Sequence, residues 1–240
     1  MQRTNIFMND FYPKIDGWLY QGAIELTEML LNAQKSAGII GGGLEIGVYK
    51  AKYLSFLAST TDYNWVGLDV FIFDQQSEAA QNIETVLGSD KIRVKLVQGN
   101  TQTMTSDELT VALTKNAVGG ISFASIDGDH SCKGVTHDLK IVEKNLVPGG
   151  IIAVDDLFSP MCASVSEGFF KYMQSDDSNL KPIAYSDNKL FMTTSGYDEL
   201  YQIRIMIAAS LDDGLCGQRW KDGTQINRVR PFLDGRLIHF

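Results

Sequence analysis

Two short acidic clusters are the residues in this chain best suited to chemistry. Asp127-Gly128-Asp129-His130 follows the apolar run Ile121–Ile126, and Asp155-Asp156 follows Gly150–Val154. Carboxylates brought close together repel, which raises their pKa values unless a cation joins them. Asp127, Asp155 and Asp156, at two neighbouring strand ends, form an all-oxygen set of the kind that suits Mg²⁺ or another hard divalent cation. Zinc more often takes Cys or several His. An ion held there would bind a substrate hydroxyl and lower its pKa. His130 titrates near neutrality and suits removal of that hydroxyl's proton. The plainer alternatives are a solvated strand end and helix cap for Asp155-Asp156, and a supporting role for His130. Asp129 reads as a turn residue and is left outside the ligand set.

These residues need strands to carry them. Ile39–Ile46 contains a strand that turns at Gly47 into a helix from Lys50 to Ser59. Residues 65–70 form a second strand with Asp69 at its end, Gln75–Leu87 a helix, and Ile92–Val97 a third strand. Ser106–Asn116 is a helix with Ser106 as N-cap. The fourth strand covers 121–127, His137–Asn145 a helix, and Pro148-Gly149-Gly150 turns the chain into a fifth strand over 151–155. Alternation of strand and helix predicts a Rossmann-like, doubly wound α/β fold with a mostly parallel sheet. In such sheets ligands bind outside the carboxyl ends of the strands, where both acidic clusters fall.

The flanks read differently. Residues 1–17 carry turn signals and read as irregular. Trp18–Ala37 has helical periodicity, and this helix either covers the crevice as a lid or packs on the sheet edge. Beyond Phe158 come a helix over 163–174, an antiparallel strand pair over 182–186 and 190–194, and a helix over 199–211. From Gly214 the chain is turn-rich and basic. We expect one domain over 1–240, with an N-terminal helix to residue 37, a Rossmann-like core over 38–195, and a helix and tail over 196–240.

Composition narrows the functional classes. A formal charge of −8 argues against nucleic acid or an anionic membrane as a partner. Cys132, Cys162 and Cys216 form no CxxC pair, so free thiols in a reducing, cytoplasmic setting are the simple reading. No apolar run reaches the length of a membrane span.

A cofactor site is also spelled out. Glu45-Ile46-Gly47 ends the first strand, and Asp69 follows at about the 20-residue spacing at which an acid meets ribose hydroxyls. No further glycine follows Gly47, so the dinucleotide fingerprint is missing and a nucleoside without a pyrophosphate fits better. Glu45 is unusual on a buried strand, since a buried carboxylate is costly unless paired.

Together, Leu44-Glu45-Ile46-Gly47-Val48-Tyr49, Gly67-Leu68-Asp69, Gly99-Asn100, Ile126-Asp127-Gly128-Asp129-His130-Ser131 and Leu146-Val147-Pro148-Gly149-Gly150 resemble class I S-adenosylmethionine-dependent methyltransferases. More narrowly, they are similar to metal-dependent sugar O-methyltransferases of the macrocin and mycinamicin type. The resemblance implies S-adenosylmethionine as cofactor, with Gly47 letting the backbone approach its methionine part and Glu45, Tyr49 and Asp127 among the residues that bind it. It places Asp69 on the ribose, Val70 against the adenine, and Gly99-Asn100 at the adenine edge. An acid often stands where this chain has Asn100, but an amide also hydrogen-bonds an adenine edge. The resemblance further implies Mg²⁺ on Asp127, Asp155 and Asp156, His130 as general base, and a small hydroxylated acceptor such as a sugar. A homo-oligomer is expected from the long tail. The competing readings are an NAD-dependent oxidoreductase and a non-catalytic binding protein on the same fold.

Overall fold

The computed structural model describes residues 2–72, 75–222 and 228–240. Its centre is a nine-stranded sheet of order β3-β2-β1-β4-β5-β7-β6-β9-β8. The strands are β1 Gly42–Ile46, β2 Trp65–Asp69, β3 Val94–Gln98, β4 Ile121–Ile126, β5 Leu146–Val154, β6 Leu180–Ser186, β7 Lys189–Thr194, β8 Val229–Phe232 and β9 Gly235–His239. β1 to β5 pair in parallel, and β7 joins β5 antiparallel. The fold is thus Rossmann-like, mostly parallel, with an antiparallel C-terminal pair as expected. β1 and β4 are neighbours although three crossovers separate them in sequence, so the strand order reverses there and a crevice opens at their carboxyl ends.

Helices cover both faces, which is why β1 and β4 are buried along their whole length rather than alternating. On one face Leu44, Ile46, Ala124 and Ile126 pack beneath α5 Ser106–Lys115, α6 Cys132–Glu143 and α7 Ala163–Met173. On the other face Phe123, Ile151 and Phe191 pack beneath α2 Gln21–Ser36, α3 Lys52–Thr60 and α8 Asp198–Leu211. α1 is Gln2–Ile6, α4 is Gln76–Leu87 and α9 is Leu215–Asp222.

Several local expectations are corrected. The stretch read as irregular begins with α1 and a π-helical turn over Phe7–Phe11, because Phe7 is buried against Phe56 and tertiary packing outweighs the turn signals. The N-cap of α5 is Thr105, not Ser106: Thr105 and Glu108 form a reciprocal capping box that satisfies two free amides. α6 begins at Cys132, five residues before His137, capped by Ser131 through Gly134 N–H at 3.0 Å. Pro148-Gly149-Gly150 lies within β5 and is not a turn before it. The tail is not only turns: α9 packs on the core through Trp220, and the β8–β9 hairpin extends the sheet by pairing β9 with β6. Residues 223–227 of that tail lie outside the described residues.

Candidate functional site

The carboxyl ends of β1, β2, β4 and β5 converge on the crevice. The backbone there is unusual: among the described residues, five of the eight non-glycine residues at positive φ, Tyr49, Ala51, Phe71, Asp156 and Phe158, follow β1, β2 or β5. Residues held in such conformations tend to gather at binding sites. The rim is also apolar and exposed, with Trp18, Tyr49, Val70, Ile72, Phe158 and Met161 all open to solvent. Trp18 leans on Tyr49 with ring centroids 6.0 Å apart, so the chain just ahead of α2 reaches the rim while α2 itself packs on the sheet face. Two other clefts, one lined by Arg3, Phe7 and Arg93 and one by Ile83, Ile92 and Leu96, lie away from these residues.

The half of the crevice where the sequence predicts a nucleoside is built from β1 and β2. Gly47 turns the chain at φ +82°, and a Cβ there would sit 1.9 Å from the Asp127 carbonyl oxygen. Only glycine lets the two strand ends approach so closely. Asp69 organises the loops: Oδ2 accepts Val48 N–H at 2.7 Å and Tyr49 N–H at 2.9 Å, and Oδ1 accepts Phe71 N–H at 2.7 Å. A carboxylate has about four acceptor positions, so roughly one remains beyond these three bonds. Asn100 caps a short helical turn by accepting Gln102 N–H at 3.0 Å on Oδ1, so its NH₂ takes no part in that bond. Val70 presents apolar surface beside them.

The acid–imidazole half comes from β4 and β5. His130 Nε2 lies 3.1 Å from Asp127 Oδ1. Asp127 is 35% exposed at the crevice. The protein mass behind it desolvates the carboxylate, and Asp155 adds repulsion; together these push its pKa up to about 7. The hydrogen bond that His130 donates to Asp127 raises the pKa of His130, against a smaller effect of burial. Both shifts favour keeping a proton on the pair. Asp129 is spent on the loop, accepting Ser131 N–H at 3.0 Å and its hydroxyl at 2.9 Å.

The three aspartates are not equivalent. Asp155 Oδ2 is 2.7 Å from Lys189 Nζ, and both side chains are buried. Lys189 also lies over the Tyr53 ring at 4.5 Å, and its pKa is raised by Asp155, Tyr53 and Asp127 despite burial. Asp156, at φ +55°, turns the other way: Oδ1 accepts Asn188 Nδ2–H at 3.0 Å, while Oδ2 is 3.2 Å from Cys162 Sγ and 3.8 Å from His130 Nδ1. Glu45 lies under the crevice floor, 3% exposed, with no hydrogen-bond partner at Oε2. Burial raises its pKa well above the usual carboxylate range, only partly opposed by Lys189.

Sequence reasoning missed Lys189 and Cys162. Lys189 stands beside a turn, where a lysine ordinarily meets water. Yet it shares a strand face with Phe191, and that period of two was the available signal that it points inward. Cys162 is in a loop and carried no spacing signal; only the fold brings it to His130.

Comparison with known proteins agrees with this architecture. Residues 44–157 match the family model described as a methyltransferase domain. The chain resembles class I S-adenosylmethionine-dependent methyltransferases, sugar O-methyltransferases among them. CalS11, a TDP-rhamnose 3′-O-methyltransferase of calicheamicin biosynthesis, aligns with a TM-score of 0.57 at 18% identity over 80% of this chain and 87% of its own. An O-methyltransferase from Bacillus cereus, solved in complex with SAH, aligns at 0.53 and 16% over 80% and 88%. MycE of the mycinamycin pathway, solved with Mg, SAH and mycinamycin VI, aligns at 0.55 and 20% over 83% of this chain but 56% of its own. At these identities the likeness is one of fold. A search of the curated proteins finds no match. No helix among the described residues is long and apolar enough to cross a membrane.

Proposed function

We propose that this protein transfers a methyl group from S-adenosylmethionine to a hydroxyl of a small molecule, a sugar or glycoside being the favoured acceptor. The carrying observation is the His130–Asp127 pair at the strand-order reversal, directly across from the Gly47 turn. The methyltransferase match over 44–157 supports the reaction class, and the TDP-rhamnose named for CalS11 and the mycinamycin VI bound by MycE support the acceptor class. Asp69, Gly47, Tyr49, Val70 and Gly99-Asn100 are the residues that would hold the cofactor. The acceptor position left on Asp69 and the exposed apolar surface of Val70 fit a ribose and an adenine.

Bound there, S-adenosylmethionine supplies an electrophilic methyl group. The chain's own task is to bring a hydroxyl up to it and take its proton. Asp127 holds His130 through Nε2, which leaves Nδ1 as the basic nitrogen on the side of Asp156 and Cys162. An acceptor hydroxyl on that side would lose its proton to Nδ1 as its oxygen attacks, and alignment in the crevice would supply much of the acceleration. Magnesium held by Asp127, Asp155 and Asp156 does not fit this donor set. An ion there would have to displace the ammonium of Lys189, which already balances Asp155 in a buried position.

The test is calorimetric titration with S-adenosylhomocysteine, followed by methyl transfer to a panel of hydroxylated glycosides. Micromolar binding by the wild type, weakened at least tenfold in Asp69→Ala, with transfer lost in His130→Ala while binding persists, is the expected outcome. An absence of binding in the folded wild type would remove the reading.

A further inference from the structure

A second arrangement shares His130 but faces away from Asp127. His130 Nδ1, Asp156 Oδ2 and Cys162 Sγ lie within 4.8 Å of one another. The edges of the triangle are 3.3 Å from nitrogen to sulfur, 3.2 Å from sulfur to oxygen and 3.8 Å from nitrogen to oxygen. Tetrahedral zinc, with bonds of about 2.3 Å to sulfur and about 2.0–2.1 Å to nitrogen and oxygen, sets its ligands roughly 3.3–3.6 Å apart. The three atoms are therefore nearly in position for one ion, with only small side-chain adjustments.

The supporting shell is independent of the triangle. A metal-bound imidazole usually gives its other N–H to a carboxylate, and a ligating carboxylate is itself hydrogen-bonded. Here His130 Nε2 meets Asp127 at 3.1 Å, and the far oxygen of Asp156 accepts Asn188 Nδ2–H at 3.0 Å. His130 is exposed, and Asp156 and Cys162 are half-buried, so an ion has a path in. A thiolate and an imidazole in the set select a thiophilic transition metal over magnesium.

We infer that His130, Asp156 and Cys162 form a mononuclear site for a zinc-class divalent ion, with three protein ligands and one open position. The site itself does not depend on the methyltransferase reading; its consequence does. An ion on Nδ1 occupies the nitrogen that would take the acceptor's proton, so bound metal and proton removal exclude each other. Such an ion would act as an inhibitor of the transfer.

Cobalt(II) titration of the reduced, metal-free full-length protein tests this, because thiolate ligation produces a sulfur-to-cobalt charge-transfer absorption. The expected result is one equivalent bound with that absorption, competed away by zinc and untouched by excess magnesium. Cys162→Ala abolishes the absorption, Cys132→Ala leaves it, and Asn188→Ala weakens binding about 10- to 100-fold. Circular dichroism establishes that each variant is folded. No charge-transfer absorption in the wild type, or one that survives in folded Cys162→Ala, would overturn the site. Neither result bears on S-adenosylhomocysteine binding, so the two readings fail separately.

Discussion

In the proposed reaction His130 is the base, and Asp127 sets its behaviour. The hydrogen bond between them is the largest influence raising the His130 pKa. A base works only when unprotonated, so kcat/KM should rise with pH along a limb centred above the ordinary imidazole value of about 6.5. Asp127→Asn removes the charge that holds the proton. The limb should move to lower pH while the plateau falls, since the ring also loses its orienting carboxylate. A pH profile of both forms, with metal chelated, checks this, and an unmoved limb would mean that His130 is not the titrating base. Both residues were legible in the sequence because an acid and an imidazole after an apolar strand can hardly be hidden. Which ring nitrogen faces which partner was not legible, because it depends on Cys162 and Asp156 arriving from another loop.

At the scale of elements, the β1–α3 turn is the tightest joint in the site. Gly47 is pressed against the Asp127 carbonyl by the parallel pairing of β1 with β4, and Asp69 ties down the two following amides. Gly47→Ala would place a methyl group inside van der Waals contact and strain a positive φ. We expect a loss of more than about 1 kcal/mol from conformation alone, with a further cost from the clash. S-adenosylhomocysteine binding should be lost, because the two strand ends must separate. Urea denaturation and calorimetry on this variant measure both effects, and wild-type values for both would show that the close approach is not essential. The order of helices and strands was readable from periodicity and glycine punctuation. The capping box at Thr105 and the helical start of the chain were misread, since one-residue cap choices and the burial of Phe7 follow from contacts rather than from local pattern.

Across the whole molecule, the C-terminal segments hold one wall of the site. Arg219 of α9 bonds Asp187 at 3.0 Å, and Asp187 also accepts Ala23 N–H at 3.1 Å at the start of α2. The next two residues, Asn188 and Lys189, reach Asp156 and Asp155. Tail, first long helix and acid cluster are thereby linked through one hairpin turn. Lys189→Met would strand Asp155 in a buried position without its cation. Breaking such a pair costs about 3–5 kcal/mol, which for a chain of this size lowers Tm by roughly 10 °C. Thermal unfolding at neutral pH checks this; the double variant Lys189→Met with Asp155→Asn should recover part of the loss, because no uncompensated charge is left. A single variant as stable as wild type would show that the pair does not balance the cluster. The sequence alone determined the parallel α/β core, the acid at the end of the strand after the glycine turn, and the acids at adjacent strand ends, because these are written in local periodicity and spacing. Only the tertiary structure decided that Lys189 is buried between those acids, that Asp155 is already paired, and that Cys162 faces His130. Those facts depend on strand register and hairpin placement, which bring together residues far apart in the chain; only the inward face of Lys189 left a local trace, in its period of two with Phe191.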